Sequence, residues 1–196
     1  FGEAINLTPD NVEAYYNLGN ALFMKGDFDE ALAAYRSSLE LRPTAMSLVA
    51  IGDVFFHRGE FDKAYIHHQQ AADLAPDNYL CWSKLGQTRR QLYRHDEGTE
   101  DIYQLTARLA RKSLVVNPRD TTAWLVLSLA LAYQELTDEA LLALRQSIEQ
   151  ASENVAIKYQ TALVWNALGD SGRSLDALAE AVRAGFSPDV IASSPE

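Results

Sequence analysis

"YYNLGNALFMKGDFDEALAAYRSSLELRP", residues 15–43, predicts two helices joined by a tight turn. Its apolar residues recur three, four and seven positions apart, which is the spacing of one face of an amphipathic helix. Gly26 can adopt the left-handed conformation that ends a helix, and the acidic residues after it favour the start of the next one. Pro43 stops the second helix. The stretch therefore predicts a helix, a turn and a helix, and it contains no evident catalytic group.

The same pattern returns along the chain at intervals of about 34 residues. Pro9, Pro43 and Pro76 are separated by 34 and 33 residues, and Pro118 follows after 42. Each first helix carries an apolar residue followed by a small one, at Leu18-Gly19, Ile51-Gly52, Leu85-Gly86 and Leu127-Ser128. Because glycine lacks a Cβ, we expect another helix to approach closely at these positions.

This pattern closely resembles the tetratricopeptide repeat family over essentially the whole chain. The resemblance implies an all-α fold, an α-solenoid in which antiparallel helix pairs stack into a right-handed superhelix. We expect a single array over 1–196. Its predicted parts are a partial repeat at 1–10, full repeats at 11–43, 44–76, 77–118 and 119–152, a diverged repeat at 153–188, and the start of a truncated element at 189–196.

The repeat at 77–118 carries eight extra residues. Alignment of its turn at 93–98 places Gly98 at the position of Ala31 and puts the surplus in the second helix, as about two extra turns. The apolar stripe predicted for that helix is Ile102, Leu105, Leu109, Ser113 and Val116. Two interpretations stay open: a longer helix with the same packing role, or a special contact surface.

Composition restricts the classes of function. The content of 47% hydrophobic and 22% charged residues is ordinary for a folded globular chain. A net charge of −10 argues against nucleic-acid binding, which normally needs a basic face. The single cysteine, Cys81, excludes an intramolecular disulfide. The apolar run at 123–133 is shorter than the roughly 18–20 residues that span a bilayer, so no membrane insertion is predicted.

The cysteine usage fits a cytoplasmic location, and a periplasmic domain without disulfides would look the same. Residue 1 is Phe1, and the opening residues read as the last turns of a helix already under way. We therefore expect the chain to be a fragment of a longer protein.

The residues that could support chemistry form no recognisable site. The histidines are His57, His67, His68 and His95, and none belongs to a metal-binding spacing. His68 holds the packing position of Tyr35 in the first repeat, so a core histidine is predicted. Without a nucleophile elbow or a glycine-rich phosphate loop, we expect no enzyme activity, no metal and no cofactor.

A basic cluster stands out in this acidic chain. Its members are Arg89, Arg90, Arg94, Arg108, Arg111 and Lys112. Two interpretations stay open: a solvated face of the repeat, or an anchor for an acidic segment of a partner.

The family resemblance implies that a partner lies in the concave groove, which one face of each first helix lines. The residues on that face are Tyr16, Asn17, Asn20, Phe23 and Met24; Asp53, Phe56 and His57; Lys84, Gln87 and Arg90; Leu125, Leu129 and Tyr133; and Tyr159, Leu163 and Asn166. The five-residue carboxylate clamp of chaperone-binding members matches only at Asn20 and Lys84. Leu125 and Leu129 would be covered either by neighbouring repeats or by a partner's apolar residues.

These observations predict a non-catalytic scaffold that binds a protein or peptide segment. The main alternative is self-association through exposed terminal repeats, because uncapped solenoids stack end to end. The extended helix, "VVNPRD" at 115–120 and the ending at 167–188 also resemble the tetratricopeptide tails of some bacterial signalling proteins. That resemblance implies a regulatory arm.

Overall fold

The computed structural model describes residues 10–93, 97–151 and 153–193, and these residues form eleven α-helices and no strand. In chain order the helices are α1 (Val12–Lys25), α2 (Phe28–Leu41), α3 (Ala45–His57), α4 (Phe61–Leu74), α5 (Tyr79–Tyr93), α6 (Glu97–Val116), α7 (Thr121–Tyr133), α8 (Thr137–Ala151), α9 (Val155–Ala167), α10 (Ser171–Arg183) and α11 (Pro188–Ala192). The all-α prediction is confirmed.

Consecutive helices pack as pairs, from α1 with α2 to α9 with α10. We call α1, α3, α5, α7 and α9 the first helices and their partners the second helices. The chain divides into two compact units: in the described residues, unit 1 comprises 10–76 and 187–193, and unit 2 comprises 77–186 apart from the undescribed positions. The predicted residues Phe1 to Pro9, Arg94, His95 and 194–196 lie outside the description.

Each first helix starts at a polar side chain that caps its free backbone N–H groups. Asn11 accepts a hydrogen bond from the Ala14 N–H at 2.9 Å, and Thr44 accepts one from Ser47 at 3.0 Å. In unit 2, Asp120 accepts from the Ala123 N–H at 3.0 Å. Such caps contribute about 1 kcal/mol each. The helix starts are therefore fixed locally, before any packing between helices.

A small residue faces a large ring in the first three helix pairs. A Cβ added to Gly19 would overlap the Tyr35 ring, and one added to Gly52 would overlap the His68 ring. His68 is only 1% exposed, which confirms the prediction of a core histidine. These glycines are therefore required by helix packing, as expected from the sequence.

In the third pair the sequence alignment, which placed Gly98 at the position of Ala31, is wrong by one residue. A Cβ on Gly86 would lie 2.9 Å from Tyr103, so Tyr103 holds the place that Tyr35 holds in the first pair. Thr99, four residues before Tyr103, therefore takes the position of Ala31, and Thr99 is buried. Gly98 faces the Arg89 guanidinium instead.

The predicted stripe of α6 is wrong only at its last residue. Ile102 and Leu109 are buried and Leu105 and Ser113 are half-buried, whereas Val116 is 85% exposed. The residues of α6 in the core cluster are Tyr103, Ala107, Ala110 and Leu114, spaced by three and four. Leu114 is the last residue of α6 in this cluster, so the buried face of the helix ends there. At 20 residues α6 exceeds the 14 residues of α2 and of α4.

Within the described residues, four turns between paired helices share one backbone conformation. Gly26, Gly59 and Gly169 have φ values of 86°, 71° and 78°, and the equivalent residue in the α7–α8 turn is Glu135, at φ 60°. In each turn the next N–H returns to a carbonyl five residues earlier, as from Leu136 to Leu131 at 3.0 Å. Of these four residues, Glu135 is the one that is not glycine. A residue with a side chain is strained in the left-handed conformation, so the backbone at Glu135 is strained.

We expect Glu135→Gly to raise the free energy of unfolding by about 0.5–1 kcal/mol, because relief of backbone strain exceeds the greater chain entropy of glycine. Gly59→Ala is the matched control: an added Cβ there meets nothing within 4 Å, so only backbone strain changes. It should lower stability by about 1 kcal/mol. Urea denaturation followed by circular dichroism measures the free energy of unfolding of both variants. A Glu135→Gly variant less stable than the original chain would contradict the inference that the backbone at Glu135 is strained.

Candidate peptide-binding surfaces

In unit 1 the predicted surface residues of α1 divide into scaffold and exposed groups. The Tyr35 hydroxyl donates a hydrogen bond to the Asn20 side-chain oxygen at 2.9 Å, and the Tyr16 ring lies 5.9 Å from the Tyr35 ring. Burial, and then the nearby Asp53 carboxylate, raises the pKa of Tyr35 above its ordinary value, so the hydroxyl stays a donor. Asn20 thus supports helix pairing. Asn17 is exposed.

The predicted residues of α3 are partly engaged in the core. The Asp53 carboxylate lies 3.5 Å from Nε2 of His68, and that same nitrogen lies 3.3 Å from the Val49 carbonyl oxygen. Two oxygen neighbours favour a proton on Nε2. Asp53 is half-buried and Phe56 is buried, so this part of the predicted surface is mostly structural.

Aromatic rings gather where α1 and α3 end. The His57 imidazole lies 5.2 Å from the Phe23 ring, 6.0 Å from Phe28 and 6.1 Å from Phe56, measured between ring centroids. Phe23 and His57 are half-buried, while Met24 beside them is 36% exposed. The structure therefore brings together two residues that the sequence predicted separately, from different repeats.

In unit 2 a cationic face runs along α5 toward α7. Lys84, Gln87 and Arg90 are three residues apart, so they follow one side of the helix. The Arg90 guanidinium lies 4.2 Å from the centroid of the Tyr133 ring, a cation–π contact, and the Tyr133 ring lies 4.7 Å from that of Tyr103. Arg90 is exposed, Lys84 is half-buried and Gln87 is 9% exposed.

The structure divides the basic cluster that the sequence groups together. Arg111 forms an ion pair with Glu139 at 2.7 Å, and Lys112 lies 3.6 Å from Asp77. Arg90 instead packs on an aromatic ring. Arg111 and Lys112, which contact carboxylates, therefore belong to a solvated face, and Arg90 has a different environment.

Leu125 and Leu129 are covered from within unit 2. They are 2% and 6% exposed, and they pack with Leu144, Ile157 and Val164. Of the two interpretations left open by the sequence, burial by the neighbouring helix pair describes this structure. The apolar character of α7 is therefore explained by packing alone.

The predicted residues of α9 are similarly divided. The Tyr159 ring stacks on Phe186 with centroids 4.4 Å apart, and Tyr159 is 9% exposed. Leu163 is half-buried and Asn166 is exposed. Two further features had no sequence signal: the Tyr79 hydroxyl donates to the Asp120 carboxylate at 2.9 Å, and residues 187–193 lie against unit 1.

Two kinds of residue with possible chemical roles are metal ligands and the single cysteine. The described residues contain no group of three or more His, Cys, Asp and Glu residues placed to hold a metal ion. Cys81 is buried, and burial raises the pKa of its thiol to about 11, which keeps it protonated and unreactive near neutral pH. Over the part of the chain that the structure describes, no helix combines the length and hydrophobicity needed to cross a bilayer.

Paired helices with a small residue under a ring, repeated along the chain, define a helical-repeat protein. Tetratricopeptide repeat family models match residues 12–44 and 125–189, which together make up half of the chain. The chain belongs to the tetratricopeptide repeat family, which confirms the resemblance drawn from its sequence. In this general sense it is a protein-interaction scaffold.

Several solved structures are similar to the chain. TTC0263, a thermophilic tetratricopeptide repeat protein of Thermus thermophilus, has a TM-score of 0.62 at 20% identity, over 89% of this chain and 92% of its own, and it supports the fold. YrrB, described as a tetratricopeptide repeat protein with an unusual peptide-binding site, has a TM-score of 0.46 at 21% identity, over 98% and 94%. MamA (41-end) of Desulfovibrio magneticus RS-1 has a TM-score of 0.45 at 14% identity, over 88% and 94%. No curated protein matches the chain significantly.

Proposed function

We propose that the chain binds a segment of a partner protein on its first-helix faces, and that the cationic face of α5 in unit 2 holds acidic groups of that segment. The observation that carries the proposal is Arg90, an exposed guanidinium held 4.2 Å over the Tyr133 ring. The ring contact orients the guanidinium without consuming its hydrogen-bond donors in a carboxylate pair. Such a guanidinium is suited to donate hydrogen bonds to a carboxylate of a partner.

The charges of α5 also support an acidic partner segment. The chain has a net charge of −10, so an acidic segment would be repelled by the chain as a whole and attracted locally by the exposed Arg90. Lys84, which is half-buried, adds a second cation six residues before Arg90 on α5, and Gln87 between them is only 9% exposed. A partner segment with acidic residues at matching intervals would gain attraction and register from these contacts. Apolar neighbours such as Tyr133 would supply contact area.

We expect Lys84→Glu combined with Arg90→Glu to weaken binding of an acidic partner segment by at least about tenfold, because hydrogen bonds to charged groups contribute about 1.5–3 kcal/mol each. The probes are peptides selected on the full chain from a random library displayed on phage. Fluorescence anisotropy measures their affinity, and the helical circular dichroism signal should be unchanged.

The matched control is Arg36→Glu combined with Arg145→Glu. Both arginines are exposed on second helices, and their reversal changes the net charge by the same amount. It should leave the affinity of the selected peptides close to that of the original chain. If every selected peptide bound the Lys84→Glu, Arg90→Glu variant as tightly as it binds the original chain, the assignment of this face to binding would be refuted.

Self-association is a second candidate function, and an exposed apolar stripe favours it. Leu175 and Val182 on α10 are 66% and 39% exposed, and a spacing of seven residues places them on one side of the helix. In a solenoid such a stripe is the surface on which the next helix would stack. A second copy of the chain could supply that helix.

If the stripe drives association, the mass measured by light scattering should rise with concentration above the 21.8 kDa of one chain. Leu175→Asp combined with Val182→Asp should hold the mass at that of a monomer, because each substitution would bury a charge in the contact. An original chain that stays monomeric at the highest attainable concentration would eliminate this candidate. The role of a regulatory arm in a larger protein stays a prediction.

A further inference from the structure

Residues 187–193 belong to unit 1, and they lie where α1 and α3 end. The Ser193 hydroxyl oxygen lies 3.2 Å from Nδ1 of His57, and α11 contacts α1. A Cβ added to Gly26 would lie 3.3 Å from the Asp189 Cβ, so the segment approaches the backbone of the turn after α1 closely. The segment therefore touches unit 1 at both of its ends.

The segment has the form of a short ligand. Ser187 caps a single helical turn by accepting a hydrogen bond from the Asp189 N–H at 3.3 Å, and Pro188 occupies the first helical position. Val190 is 0% exposed, and the Ser193 hydroxyl also donates to its carbonyl oxygen at 2.9 Å. The segment thus presents one buried aliphatic side chain between a polar start and a polar end.

The surface under the segment is built by contacts within 10–76. The rings of Phe23, Phe28 and Phe56 surround the His57 imidazole, and they also contact one another or Phe61. The positive φ of Gly26 shapes the turn beside them. Because these contacts do not include residues 187–193, we expect the surface to keep its form when the segment leaves, which reduces the entropic cost of binding a short segment.

We propose that the surface formed by Phe23, Gly26 and His57 is a peptide-binding site for a partner segment that resembles residues 187–193. Such a segment would carry a small hydroxyl residue, a proline, an acidic residue and then a β-branched aliphatic residue. The chain's own segment occupies the site as an intramolecular ligand, and a partner must displace it. The inference rests on the proposed function in assigning partner binding to first helices, but it uses residues other than Lys84 and Arg90.

Tethering makes the internal segment an effective competitor. The segment belongs to the same chain as the site, to which residues 77–186 connect it, so its binding is intramolecular. An intramolecular ligand acts at an effective concentration that can reach the order of millimolar, so a free peptide of the same sequence binds the intact chain weakly. Release of the internal segment removes this competition and restores the intrinsic affinity of the site. Val190 is the residue to change, because it is the one fully buried side chain of the segment.

The probe is a fluorescein-labelled peptide with the sequence of residues 185–193, "GFSPDVIAS", titrated with the full chain. The Val190→Asp variant should bind it at least about tenfold more tightly than the original chain, because a carboxylate in an apolar site releases the internal segment. Val115→Asp is the matched control: Val115 is 84% exposed and lies outside the segment, so this variant should bind as the original chain does. A probe with Asp in place of Val190 should not bind.

Two further variants keep the result interpretable. Ser193→Ala removes the contact with His57 without adding charge, and a few-fold gain in probe affinity is expected even if Val190→Asp disturbs folding. His57→Ala in the Val190→Asp background should abolish the gain, which places the probe on this surface.

Equal binding of the probe by the original chain and by the Val190→Asp and Ser193→Ala variants would overturn the proposal, and so would no binding by any of them. The probe contains only the chain's own sequence. This failure would therefore leave the test at Lys84 and Arg90 unaffected, and a failure at those residues would leave the present proposal standing.

Discussion

The contact on which the rest of the structure depends is that of a small residue in a first helix with a large side chain in its partner helix. Gly19 lies under Tyr35, Gly52 under His68 and Gly86 against Tyr103. A side chain at any of these glycines would force the two helices apart, and close packing leaves little space for adjustment. This contact sets the spacing of the first three pairs.

The same constraint separates residues that hold the fold from residues that can meet a partner. Asn20 lies on a first-helix face, yet its oxygen accepts a hydrogen bond from Tyr35, so it belongs to the helix pair. Arg90 follows an equivalent face of α5 but extends over Tyr133, and it remains exposed. Position on the face is therefore insufficient to assign a binding role. The contacts of the individual side chain decide it.

The repeated spacing was sufficient to predict the helix pairs, the close-approach glycines and the burial of His68, because each depends on a local pattern. Prediction failed where the pattern was interrupted. In α6 the extra residues allowed two registers one position apart, and only the contact of Tyr103 with Gly86 identifies Thr99 as the counterpart of Ala31. The covering of Leu125 by Ile157 and the position of residues 187–193 depend on contacts distant in sequence, for which spacing provides no signal.

The most direct measurement of the central claim is the free energy of unfolding of Gly52→Ala compared with Gly172→Ala, by urea denaturation. Gly52 lies under the His68 ring, whereas an added Cβ at Gly172 in α10 meets only a carboxylate oxygen of Asp170 at 3.6 Å. Gly52→Ala should lower stability by about 1–3 kcal/mol through overpacking. Gly172→Ala should raise it by about 0.5–1 kcal/mol through helix propensity. Equal stability of Gly52→Ala and the original chain would contradict the account.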